Sequence, residues 1–155
     1  MKKLKTCALG ALLALCCLQG TAQKQTTPPI NEPDYNKPRL FNDLPAKMPL
    51  RLSSVEGTLR LSVGAAVNIQ LADNFNFEGT IVSMDIENPA LQSVVIRSTN
   101  KAGAVLSFAR AINPDRTITY SGRIMSRSNG DAYEITYENG QYSLQKKGLY
   151  DLMNE

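Results

Sequence analysis

The sequence predicts an all-β fold: an antiparallel sandwich or partly open barrel of about seven to eight strands, placed after a cleaved signal peptide and a Pro-rich linker. Three observations carry this. From residue 52 onward apolar residues recur with a period of two. Turn-forming Gly, Asn, Asp and Pro break that pattern at strand-length intervals. Asn139-Gly140, the favoured dipeptide of a type I′ turn, lies between two alternating runs and marks a hairpin.

Residues 1–22 have the three parts of an export signal. Lys2, Lys3 and Lys5 precede the apolar run from Ala8 to Leu18, and Gly20 and Ala22 occupy minus three and minus one of a cut before Gln23. The run is shorter than the roughly 20 residues needed to span a bilayer, so the mature chain is expected to carry no transmembrane segment. The alternative, a lipid anchor at Cys16 or Cys17, lacks the small residue that lipoprotein processing requires, because Leu15 precedes Cys16 and Cys16 precedes Cys17. Cys7, Cys16 and Cys17 are all the cysteines of the chain and would leave with the signal. The expected location is periplasmic, outer-membrane-associated or extracellular, with stability coming from a core and not from disulfides.

Six of the eight prolines fall in residues 24–50, which excludes a helix or sheet interior and makes 23–50 an extended linker. Its second half carries Leu40, Phe41, Leu44, Met48 and Leu50, more apolar surface than a solvated spacer needs, so it is expected to dock on the domain or to present a sticky peptide to a partner.

The domain proper is expected over 51–155. Leu59, Leu61 and Val63 alternate with polar neighbours, as do Val67, Ile69 and Leu71, and both read as strands; further strands are expected at 79–87, 91–99, 104–111, 116–126, 131–138 and 141–147. The Asn139-Gly140 turn sets Tyr137 opposite Tyr142 and Ile135 opposite Leu144, with Thr136 opposite Ser143 and Glu134 opposite Gln145 on the other face. Upstream, a four-residue connection at 127–130 pairs Ile124 with Tyr133 and Arg123 with Glu134, while a turn at Asn129-Gly130 shifts the pairing by two and keeps the same faces. A two-residue turn in "INPDR" would put Phe108 and Ile118 on opposite faces, so a bulge or longer loop is expected there. After Gly148, Leu149, Leu152 and Met153 stand at helical spacing and suggest one docked helical turn.

Composition excludes several chemistries. Histidine is absent and the mature chain is expected to lack cysteine, which removes Ser-His-Asp and Cys-His catalysis and His- or Cys-ligated zinc and haem. No nucleotide, nucleophile-elbow or calcium-loop motif is present, and no cofactor is expected. Loss of the signal removes three of the 17 Lys and Arg and none of the 14 Asp and Glu. The resulting net charge of zero offers no footprint for nucleic acid.

The remaining candidates are carboxylates and a polar face. Asp73, Glu78, Asp85 and Glu87, and Asp131, Glu134 and Glu138, cluster in sequence; a glycan hydrolase would need two of them facing across a cleft, and Asp73 with Glu78 could hold calcium, but both sets fit solvated turns and strand faces. Tyr120, Tyr133, Tyr137 and Tyr142 could form an aromatic platform for sugar or peptide, and their alternation fits core packing. Arg123, Glu134, Thr136 and Glu138 share the polar face and form the expected recognition surface.

At "LFNDLP", "GTIVS", "SVVIRSTNKAGAVLSFAR", "YSGRI", "GDAYEI" and "ENGQYSLQKKGLYDLMNE" the chain resembles small secreted β-rich proteins of Bacteroidota. The resemblance implies an envelope or extracellular β-domain and carries no catalytic residue. The hairpin series "ITYSGRIMSRSNGDAYEITYENGQYSL" is also similar to the β-rich propeptides of secreted zinc metalloproteases, over about 30 residues; without HExxH the chain is not the protease itself. The functional expectation is a non-enzymatic binding domain for a protein or glycan partner. The alternatives are a propeptide-like inhibitor or chaperone of a secreted protease and, from another class, a carboxylate-based glycan hydrolase.

Overall fold

The computed structural model describes residues 36–148 and 151–153. The expected signal peptide, its three cysteines and the linker up to residue 35 lie outside the described residues. Eight strands form one antiparallel sheet: β1 (Lys47–Pro49), β2 (Ala66–Ala72), β3 (Phe75–Asp85), β4 (Leu91–Ser98), β5 (Val105–Ile112), β6 (Ile118–Met125), β7 (Asp131–Glu138) and β8 (Gln141–Gly148). Their order is β1-β8-β7-β6-β5-β4-β3-β2, a meander from β2 to β8 to which β1 adds beside β8. The sheet curls into a half-barrel, so of the two predicted architectures it is the partly open barrel. No described helix is long and apolar enough to cross a membrane.

Local chemistry sets the register. Asn139 and Gly140 both have positive φ, 52° and 81°, as a type I′ turn requires, and all four expected pairs across β7 and β8 are present. β6 and β7 pair Ile124 with Tyr133 and Arg123 with Glu134, which selects the longer connection of the two considered. A five-residue loop joins β5 to β6, pairing Ile112 with Ile118 and Phe108 with Gly122, so Phe108 and Ile118 share a face. In β3 the register shifts between Ile81 and Ser83; Val82 is the extra residue and is exposed, while Ile81 and Met84 both face the core.

Residues 58–63, expected as a strand, do not form one. A short helix α1 (Leu52–Glu56) runs into a 3-10 turn, Gly57–Arg60. Leu52, Val55 and Leu59 recur at helical spacing as well, and burial decides between the two periods. Val55 and Leu59 enter the core and the Thr58 hydroxyl donates to the Val55 carbonyl at 2.6 Å, whereas Leu61 and Val63 stay outside it, 42% and 60% exposed.

The core is gathered from the apolar inner positions of the strands, with Phe75, Phe77, Phe108, Ile81, Ile96, Leu106, Ile124, Tyr133 and Leu144 fully buried and Val55 of α1 among them. The stretch before β1 contributes Phe41, also fully buried, whose ring meets Tyr133 at 5.1 Å and Phe75 at 5.9 Å. Polar groups hold its backbone. The buried Asp131 carboxylate accepts the N–H groups of Leu40 and Phe41 at 2.6 and 2.9 Å, Lys146 Nζ donates to the Phe41 and Leu44 carbonyls, and the Tyr133 hydroxyl donates to the Pro45 carbonyl. At the far end, residues 151–153 form one 3-10 turn with Leu152 buried.

Candidate functional site

The sheet is not paired along its whole length. Between β6 and β7 the ladder holds three residue pairs, from Met125 with Ala132 to Arg123 with Glu134, and then stops. Both strands continue, β6 through 118–122 and β7 through 135–138, each paired only with its other neighbour, β5 or β8. The result is a fork whose arms are the β5–β6 and β7–β8 hairpins. Its vertex is a small depression of about 290 Å³ lined by Ser107, Ser121, Gly122, Arg123, Glu134 and Ile135. Gly122 is required there: a Cβ would collide with the Ser107 carbonyl and come within 2.9 Å of Ile135 Cδ1.

One side chain reaches across the gap. The Tyr120 N–H of β6 donates to the Tyr142 phenol oxygen at 3.1 Å, taking from β8 a hydrogen bond that β7 does not supply. Tyr142 sits in an aromatic row on the inner side: Phe108 stacks on Tyr120 at 5.7 Å, Tyr120 meets Tyr142 edge-on at 5.4 Å, and Tyr142 meets Tyr137 at 4.7 Å. Tyr137 ends the row and is 61% exposed. Three of the four tyrosines noted in the sequence therefore adjoin one another; Tyr133 instead lies in the core against Phe41 and Phe75.

The four residues of the predicted recognition face lie along the fork. Arg123 and Glu134 come together at its vertex, where Nε and Nη2 approach Glu134 Oε1 at 3.3 and 3.2 Å. Thr136 and Glu138 lie further out on the β7 arm and are engaged from the other side, Thr136 with the Ser143 hydroxyl at 3.1 Å and Glu138 with Lys47 Nζ at 2.5 Å. The Lys47 hydrogen bond holds the Glu138 carboxyl below the usual carboxylate range.

Reasoning from sequence missed a polar cluster on the inner face, at the mouth of the half-barrel. Arg110 of β5 lies 3.5 Å from Glu56 Oε1 through Nε and donates from Nη1 to Gln92 Oε1 of β4 at 3.5 Å; the Tyr120 hydroxyl donates to the same Glu56 oxygen at 3.0 Å. Burial, followed by the Glu56 carboxylate, raises the Tyr120 phenol above its ordinary value. Glu56, Gln92 and Arg110, with Leu59 and Arg60, line a second depression of about 290 Å³. The available signal was phase: Leu106, Phe108 and Arg110 alternate onto the inner face, as do Ile96, Val94 and Gln92, so Arg110 and Gln92 are polar residues at inward positions.

The carboxylates considered for catalysis or calcium have other engagements. Asp73 pairs with Arg51 at 2.7 Å, Glu78 accepts from the Asn76 and Asn68 amides, Asp131 holds the Leu40 and Phe41 backbone, and Asp85 and Glu87 are exposed. Among the described residues no three His, Cys, Asp or Glu side chains group so as to hold a metal ion. Comparison with known protein families, curated proteins and solved structures gave no significant match.

Proposed function

We propose that the chain is a non-enzymatic, exported binding module that takes an extended segment of a protein partner against the arms of the β6–β7 fork. The observation that supports this reading is the ladder that ends at Arg123 and Glu134 while both strands run on. A strand side without a neighbouring strand is a template for another, which here displaces the Tyr142 phenol from the Tyr120 N–H: backbone hydrogen bonds supply affinity and alternate side chains supply selectivity. A segment lying there presents one set of side chains to Tyr120, Tyr142 and the exposed Tyr137, and the other to Ser121 and Thr136. Aromatic contact of the first kind contributes large area at small entropic cost. Export follows from the pattern of residues 1–22.

Selection of displayed peptides against the purified protein, followed by NMR mapping of the selected binders, tests the proposal. The expected result is that backbone amides of 118–122 and 135–138 shift and that Tyr137→Ala, a change at an exposed ring, weakens binding by roughly tenfold. Selected peptides that shift only amides elsewhere, or a selection that enriches no binder, would overturn it.

A further inference from the structure

We infer that the depression at the mouth of the half-barrel, lined by Glu56, Leu59, Arg60, Gln92 and Arg110, is a binding site for a small hydroxylated carboxylate, a ligand of the uronic-acid type. This site is separate from the strand-binding reading and stands without it.

The argument begins with Arg110. Its side chain is 19% exposed, and a guanidinium stays charged at any physiological pH. A cation so withdrawn from water needs close, well-aligned acceptors. Arg110 has distant ones: Nε is fully buried without a hydrogen-bond partner, Glu56 Oε1 at 3.5 Å being within ion-pair reach only, the Gln92 contact is also at 3.5 Å, and the Tyr120 phenol is its remaining polar neighbour. Glu56 is itself shared with the Tyr120 hydroxyl, which holds the nearer position at 3.0 Å. With Arg60 at the rim, the lining carries two cations and one carboxylate, so the depression is one negative charge short.

Shape and the remaining polar groups narrow the ligand. The planar fork of N–H donors in a guanidinium matches a carboxylate in bidentate fashion, and with Nε buried the ligand would meet Arg110 through its two Nη groups. Once that is placed, the open polar groups of the lining are the second Glu56 oxygen, which only accepts, and the Gln92 amide, which donates and accepts. Hydroxyl groups satisfy both, and Leu59 supplies an apolar wall. A space of about 290 Å³ takes a single sugar-sized molecule.

The test titrates the intact protein with D-glucuronate, acetate, inorganic sulfate and D-glucose, following the arginine Nε–H signals by NMR and heats by calorimetry. Glucuronate is expected to shift the Arg110 Nε–H signal saturably and to bind at least about tenfold more tightly than acetate or glucose, since it alone combines charge and hydroxyls. Arg110→Lys is expected to weaken glucuronate by about tenfold or more. Arg60→Ala, at the exposed rim, and Gln92→Leu give a weakened response without removing the buried charge, and keep the proposal testable if the Arg110 variant does not fold. Equal response to sulfate and glucuronate would mean adventitious anion binding only and overturns the assignment, as does the absence of any saturable shift with glucuronate.

Discussion

The Arg51 N–H donates to the Leu71 carbonyl at 2.8 Å, one residue after the Leu50 N–H donates to Tyr142 at 3.0 Å. Leu71 lies on β2 and Tyr142 on β8, so two consecutive peptide units tie strands near opposite edges of the curled sheet. Replacing Arg51 with proline deletes the donor at a residue whose φ of −80° proline tolerates, and strands the Leu71 carbonyl. The expected loss is ~1–3 kcal/mol by urea denaturation. Arg51→Ala keeps the N–H and removes the exposed ion pair with Asp73, and is expected to cost less than ~1 kcal/mol.

Phe41 is fully buried among Phe75 and Tyr133, far in sequence from both. Phe41→Ala should remove ~3–5 kcal/mol of stability in the same measurement. Asp131→Asn leaves the Leu40 or Phe41 N–H facing an amide nitrogen and weakens the charge-assisted bonds, with an expected loss of ~1–3 kcal/mol. If the stretch before β1 were unimportant to the fold, both variants would melt like the wild type.

Burial pushes the Tyr133 phenol up to about 12, with the Asp131 and Asp43 charges adding to it. Because the folded value exceeds the unfolded one near 10, the native state holds the proton more tightly. The associated stability is complete below pH ~10 and is lost as the pH rises through about 12. Tyr120, raised in the same direction, adds to that loss. Tyr133→Phe should flatten the alkaline limb of a stability-versus-pH curve while lowering stability at neutral pH through loss of the bond to Pro45.

Gly140 adopts a φ of 81° in the turn between β7 and β8 with open space around the missing Cβ. Gly140→Ala therefore meets backbone strain and no clash, and should cost ~1–2 kcal/mol. Thermal unfolding of that variant beside Gly57→Ala, where φ is −56° and space is equally open, separates the two effects.

What was legible in the sequence was what local chemistry controls. The Asn139-Gly140 turn fixes every pair out to Asp131 and Gly148, and the inward phase of Phe108 and Ile118 demands the long loop that joins β5 to β6. Leu52, Val55, Leu59, Leu61 and Val63 satisfy two periods at once, and the space inside the curl chose the helical one. β1 is three residues long and ends in Pro49, so neither length nor propensity marks it. The fork is invisible for a different reason: Tyr120 and Tyr137 alternate identically whether or not their strands pair. Of the recognition face, the grouping of Arg123 with Glu134 was readable from register, while the Arg110 and Glu56 cluster joins β5 to a five-residue helix lying just before the stretch read as a strand.

The meander has a temporal corollary. Synthesis delivers the chain from its amino end, and each of β3 to β8 can pair with the strand made just before it. β1 is the exception, since its partner β8 is the last strand to appear, roughly a hundred residues later. Thus the earliest-made strand is the last whose neighbouring strand appears. The β1–β8 pairing, unlike every other in the sheet, therefore waits for the far end of the chain to emerge.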